Sequence, residues 1–100
     1  MLSHIVVFWT NPAYLGAADE LLKGANELLK DIPDVIQFHA GKMVPSSRPV
    51  VEQSYQVAIN LTFADKKAEQ TYQAHPRHRE FVEKYVQRLV KKVVVYDFES

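Results

Sequence analysis

Four strand-like runs and two helical stretches follow one another in the order β-α-β-β-α-β, which predicts an α+β fold of the ferredoxin-like plan: an antiparallel sheet with helices on one face. Two further observations support it. The run "SYQVAINLTF" (54–63) alternates cleanly, as a strand with one buried face does. The runs at either end of the chain are β-branched, and the topology makes them antiparallel neighbours. Length and pattern fit one domain over residues 1–100, without linker, repeat or low-complexity segment.

Taken in order, "HIVVFWT" (4–10) is the first strand, ended by Asn11-Pro12. From about Leu15 to Lys30 the apolar spacing turns helical. Leu21, Leu22, Ala25, Leu28 and Leu29 form one stripe, and Pro33 stops it. "VIQFHAGKMV" (35–44) is the second strand and "PSSRP" (45–49) a loop, in which Arg48 reads as solvated. In the third strand Tyr55, Val57, Ile59, Leu61 and Phe63 share a face. "ADKKAEQTYQA" (64–74) is a short helix with Asp65 near its start and "DKKAEQ" as an exposed face. After Pro76 a second helix carries Phe81, Val82, Tyr85, Val86, Leu89 and Val90 on one side. Arg79 is spaced to pair with Glu83 there. "KVVVYDF" (92–98) is the last strand.

The first and last strands are apolar on both faces: Val6 and Phe8 against Ile5, Val7 and Trp9, then Val93 and Val95 against Val94, Tyr96 and Phe98. A sheet face without helices should be polar in a monomer. Both faces are therefore expected to be buried, the bare one by a second copy, giving a homodimer whose sheets form a dimeric α/β barrel.

Composition excludes several classes. The 12 basic and 12 acidic side chains balance, so no charge field calls for nucleic acid or an anionic membrane. There is no cysteine, hence no disulfide, thiolate nucleophile or Cys-based zinc site. The four histidines form no metal-ligand motif, and no glycine-rich phosphate loop or Ser-His-Asp pattern occurs. No cofactor and no metal are expected. The N-terminal run has no basic flank or cleavage site and no stretch approaches a membrane span, which reads as a cytoplasmic protein.

With "HIVVFW", "IPDVIQFHAGK", "YQVAINLTF", "YQAHPRHREFV" and "VVVYDF" in this order, the chain resembles the stress-responsive dimeric α/β-barrel (Dabb) family. The resemblance implies a ferredoxin-like subunit and a homodimer. One plant member closes a polyketide by an intramolecular aldol reaction without a cofactor, and its Tyr-x-x-His-Pro-x-His implies Tyr72 and His78 as acid–base residues here, with His4 as a third polar group. Ala25 and Val57 stand where that member has polar side chains, which implies a more apolar cavity.

The chemistry suits these residue types. A neutral imidazole removes a proton next to a carbonyl, and a tyrosine hydroxyl donates to the oxygen that gains charge. A break at Pro76 can bring Tyr72 and His78 together. His75, preceding proline, reads as the corner itself. His4 and Asp97 fall on one face of the paired end strands, where they can meet in a charge-assisted hydrogen bond. Phe8, Phe38 and Val57, with Ile59, Phe81 and Val95, are the expected walls of a pocket for a small apolar or aromatic ligand, and Asp97 supports its polar end. His39 reads as a strand or rim histidine, with Gln37, Gln56 and Asn60 as a polar patch. Two functions follow: a small-molecule-binding protein with cofactor-free acid–base chemistry of cyclase, lyase, isomerase or oxygenase type, or a non-enzymatic stress-response dimer that binds a ligand or protein.

Overall fold

A computed structural model describes residues 1–100. The elements are β1 (Leu2–Thr10), α1 (Ala17–Leu28), β2 (Gln37–Lys42), β3 (Val57–Phe63), α2 (Lys66–Ala74), α3 (Pro76–Phe81), a π-helical turn (Val82–Val86), α4 (Gln87–Leu89) and β4 (Val90–Glu99). The strands form one antiparallel sheet in the order β2-β3-β1-β4, the ferredoxin-like arrangement.

Helices cover only one face. The molecule measures 35 × 32 × 17 Å, and its short dimension accommodates one sheet and one helix layer. The core lies between them. Phe8, Val57, Ile59, Leu61 and Phe63 from the sheet meet Leu21, Ala25, Tyr72 and Phe81 from the helices, all buried. The helix layer does not reach across β4. Val93 and Val95, expected in a closed core, are 43% and 46% exposed on the helix side. On the bare face Tyr96 and Phe98 are 59% and 60% exposed, beside the partly covered Ile5, Val7, Trp9 and Val94. The bare face is thus open within one chain, as expected of a face that a second copy would cover, whereas Val93 and Val95 on the helix side are less covered than expected.

Helix α1 is shorter at both ends than its apolar spacing suggested. Gly16 takes a left-handed φ of 74° immediately before it, and Leu15 stays in solvent. The second helical stretch also differs from a single α-helix. The Gln87 N–H bonds the carbonyl of Val82, five residues back, which opens the helix by one residue, and Val90 already belongs to β4. Arg79 makes no pair with Glu83; the ion pairs of this segment are Lys84–Glu80, at 2.9 Å, and Arg88–Glu20.

At the π-turn Tyr85 lies flat against α1. A methyl group on Gly24 would stand 2.7 Å from the Tyr85 ring, which also stacks on Phe81 at 6.0 Å. Overpacking of this kind costs ~1–3 kcal/mol, against a gain of ~1 kcal/mol in helix propensity for alanine. Gly24→Ala is therefore expected to lower stability by about 1 kcal/mol in urea unfolding. Gly41→Ala, whose methyl meets nothing within 4 Å, should stay within about 0.5 kcal/mol of the parent.

Candidate functional site

The site grows from the corner between α2 and α3. Asp65 caps α2 by accepting from the Ala68 N–H at 2.9 Å. The helix must stop before Pro76, and His75 turns extended, with φ −68° and ψ 140°. The His75 side chain then caps the next helix, its Nδ1 accepting from the Arg77 N–H at 3.1 Å, with Pro76 in the first turn. Arg77 pins α3 to the end of α1 by donating to the Glu27 carbonyl at 2.8 Å. These local rules turn His78 back toward Tyr72, so that their ring centres lie 4.9 Å apart, edge to face.

Tyr72 is 2% exposed and is ringed by His78, Phe63 at 5.1 Å and His4 at 6.1 Å. No buried side-chain polar atom is left unpaired, and the hydroxyl has no protein partner, so it opens to the cavity that Tyr72 lines. His4 comes from β1, where its register partners are Leu61 and Asp97. The expected contact forms: His4 Nδ1 lies 2.6 Å from Asp97 Oδ1. On its other side stands Glu69, with Oε2 4.0 Å from the same nitrogen. Lys66 holds both acids, at 2.8 Å from Glu69 and 3.8 Å from Asp97.

Beside this cluster lies a solvent-connected cavity of about 220 Å³ between the sheet and the helices. Pockets for drug-sized ligands run ~300–1,000 Å³, so this one suits a smaller compound. Its polar end is His4, Tyr72, Gln73 and His78; the other walls are apolar. Of the expected walls, Phe8, Ile59, Phe81 and Val95 line it. Phe38 and Val57 do not. Val57 is fully buried in the core and pairs with Lys42 of β2, and Phe38 packs against that core beside Leu61. Asp97 stands behind His4 and does not itself line the cavity. His39 lies opposite Asn60 on the bare sheet face, beside a shallower hollow; Gln56 turns away to accept from the Thr10 N–H at 2.8 Å.

Sequence reasoning missed several contributors, among them Val6, Leu29 and Val93 in the apolar wall. Val82 and Val86 line the cavity from the π-turn, which apolar spacing cannot reveal. Gln73 follows Tyr72 directly and sits at the mouth. Glu69, read as part of an exposed helix face, is 2% exposed. It precedes Tyr72 by three residues, which puts both on one side of α2, and that spacing was the available signal. No group of three or more His, Asp or Glu side chains is arranged to hold a metal ion, and no helix is long and apolar enough to cross a membrane.

Comparison with known proteins agrees with this architecture. The family model described as the stress responsive A/B barrel domain matches residues 2–100. The stress-response A/B barrel domain-containing protein HS1 of Arabidopsis thaliana is 36% identical over 81 residues, covering 81% of this chain and 72% of that protein. Among solved structures, a dimeric ferredoxin-like protein of unknown function from Thermobifida fusca superposes with a TM-score of 0.81 at 18% identity, over 99% of this chain and 90% of that one. A hydroxynitrile lyase from Passiflora edulis superposes with a TM-score of 0.75 at 19% identity, over 97% and 90%. At these identities the two structures establish the shared fold.

The environment separates the two central groups. Burial, with the Glu69 carboxylate in support, pushes the Tyr72 phenol above its ordinary range, so it is a donor at neutral pH. Burial, and then His4, lower the pKa of His78; Glu69 and the Gln73 backbone oppose them less strongly. The folded chain thus resists a proton on His78 that the unfolded chain accepts near pH ~6.5. Its contribution to stability is complete above ~6.5 and is lost as pH falls through the lowered folded value. Urea unfolding at a series of pH values from 7.5 to 5 should show this decline, and His78→Gln should flatten it. An equal slope in that variant would assign the dependence to other groups.

Proposed function

The chain belongs to the stress responsive A/B barrel domain family, and on that premise we propose that it is a homodimeric small-molecule-binding protein whose cavity carries out cofactor-free acid–base chemistry on a carbonyl or aromatic compound. One observation carries this reading: a single solvent-connected cavity touches both Tyr72 and His78. A corner packed solid by Phe81 and Tyr85 would favour a purely structural role for the two residues.

The roles follow from the environments. Neutral His78 takes a proton from the carbon next to a carbonyl. The C–H pair moves toward the carbonyl oxygen, and the charge that develops there meets the Tyr72 O–H. His78 then returns the proton to product, so no net proton is exchanged. His4, held by Asp97 at 2.6 Å, orients the polar end. Apolar walls exclude water and hold the body of the compound. The fold also carries a hydroxynitrile lyase in Passiflora edulis, so it has room for chemistry of this general kind.

The dimer rests on the bare sheet face. A contiguous apolar surface with Tyr96 and Phe98 more than half exposed suits self-association through two-fold face-to-face packing, and several structural neighbours are described as dimeric. Light scattering at micromolar concentration should give twice the chain mass, and Tyr96→Glu with Phe98→Glu should shift it to monomer or aggregate. A stable wild-type monomer would overturn the dimer.

Once a substrate is found by a thermal-shift screen of small aromatic and carbonyl compounds, His78→Gln and Tyr72→Phe should each lower kcat by about 10²–10³-fold while the dimer stays folded. Full activity in both would remove them from catalysis, and the same cavity would then serve binding alone.

A further inference from the structure

Glu69 is the only buried carboxylate in the chain, and the acid–base reading above gives it no task. Its partners define what the cavity presents. A carboxylate paired with Lys66 only accepts hydrogen bonds. Glu69 Oε2 lies 2.7 Å from Gln73 Nε2, so the Gln73 amide is oriented unambiguously, with its NH₂ toward Glu69 and its carbonyl oxygen free. The same logic applies to His4. Its Nδ1 faces Asp97 at 2.6 Å, so the proton on that nitrogen is turned away from the cavity. Gln73 and His4 both line the cavity. The opposing donor is the unpartnered Tyr72 hydroxyl, and His78 is the remaining polar side chain that lines the site.

We infer that Glu69 determines ligand class: by drawing the Gln73 donors away from the cavity, it leaves the Gln73 carbonyl oxygen as an acceptor beside the Tyr72 donor. That pattern matches a compact apolar compound with a neutral hydroxyl or N–H next to a carbonyl. A carboxylate meets the Gln73 carbonyl oxygen and the Glu69 charge. This deepens the small-molecule reading and rests on it.

The test is an NMR titration of ¹⁵N-labelled protein at pH 7.5 with three probes of similar size: phenacyl alcohol, acetophenone, which lacks the hydroxyl, and mandelate, which keeps a hydroxyl but has a carboxylate in place of the ketone. Wild type should bind phenacyl alcohol about 10-fold more tightly than acetophenone, and mandelate weakest of the three. Glu69→Gln should tighten mandelate by about 10-fold relative to phenacyl alcohol. Gln73→Leu, which removes one partner of Glu69 and is used once its ¹⁵N spectrum shows the native fold, should erase the preference for phenacyl alcohol over acetophenone. Unchanged ratios in Gln73→Leu, or in a folded Glu69→Gln, would overturn the role of Glu69 and leave the pocket reading intact. Failure of wild type to bind any of the three would overturn both.

Discussion

The steric demand of one proline organises this site. Pro76 forbids its predecessor the helical conformation, so α2 ends at His75 and a new helix begins at once in another direction. Without that turn, Tyr72 and His78 would sit on different sides of one helix. With it, they meet edge to face over a cavity whose floor is the sheet. His75 serves the turn twice, first through its extended backbone and then as the cap of α3. The histidine in the middle of the cluster is thereby committed to structure, and the residues on either side of it are available for chemistry.

The second determinant is electrostatic. Glu69 stands where an apolar residue would pack, and a buried carboxylate persists only with partners. Lys66 and Gln73 supply them from the same helix, one turn to either side. Asp97 reaches the cluster from β4, the strand that the helix layer leaves half covered. The polar end of the cavity is thus assembled from two helices and two paired strands, and it joins contacts local to one helix to a contact between the two ends of the chain.

What the sequence made legible follows physical range. Strand order and the meeting of His4 with Asp97 came from period-two alternation and antiparallel pairing, both rigid rules. The corner came from proline sterics. The π-turn stayed hidden because Phe81, Val82, Tyr85 and Val86 read as a helical face whether the ladder closes at four residues or five. Glu69 stayed hidden because a charged residue among lysines and glutamines reads as solvated, and only its spacing from Tyr72 said otherwise. Phe38 and Val57 were placed on the right face of the sheet, but Phe38 lies on the outer strand β2 and Val57 lies two residues from Ile59 along β3, distinctions that alternation cannot make.

The π-turn has a consequence for how the cavity tolerates change. It is a dislocation in the hydrogen-bond ladder, holding one residue of spare chain in the wall that contains Val82 and Val86. The opposite wall is a sheet, where the loss or gain of a single residue would flip every later side chain to the wrong face. Length variation can therefore be absorbed on the helical side while the sheet stays in register. The cavity has one adjustable wall and one fixed one.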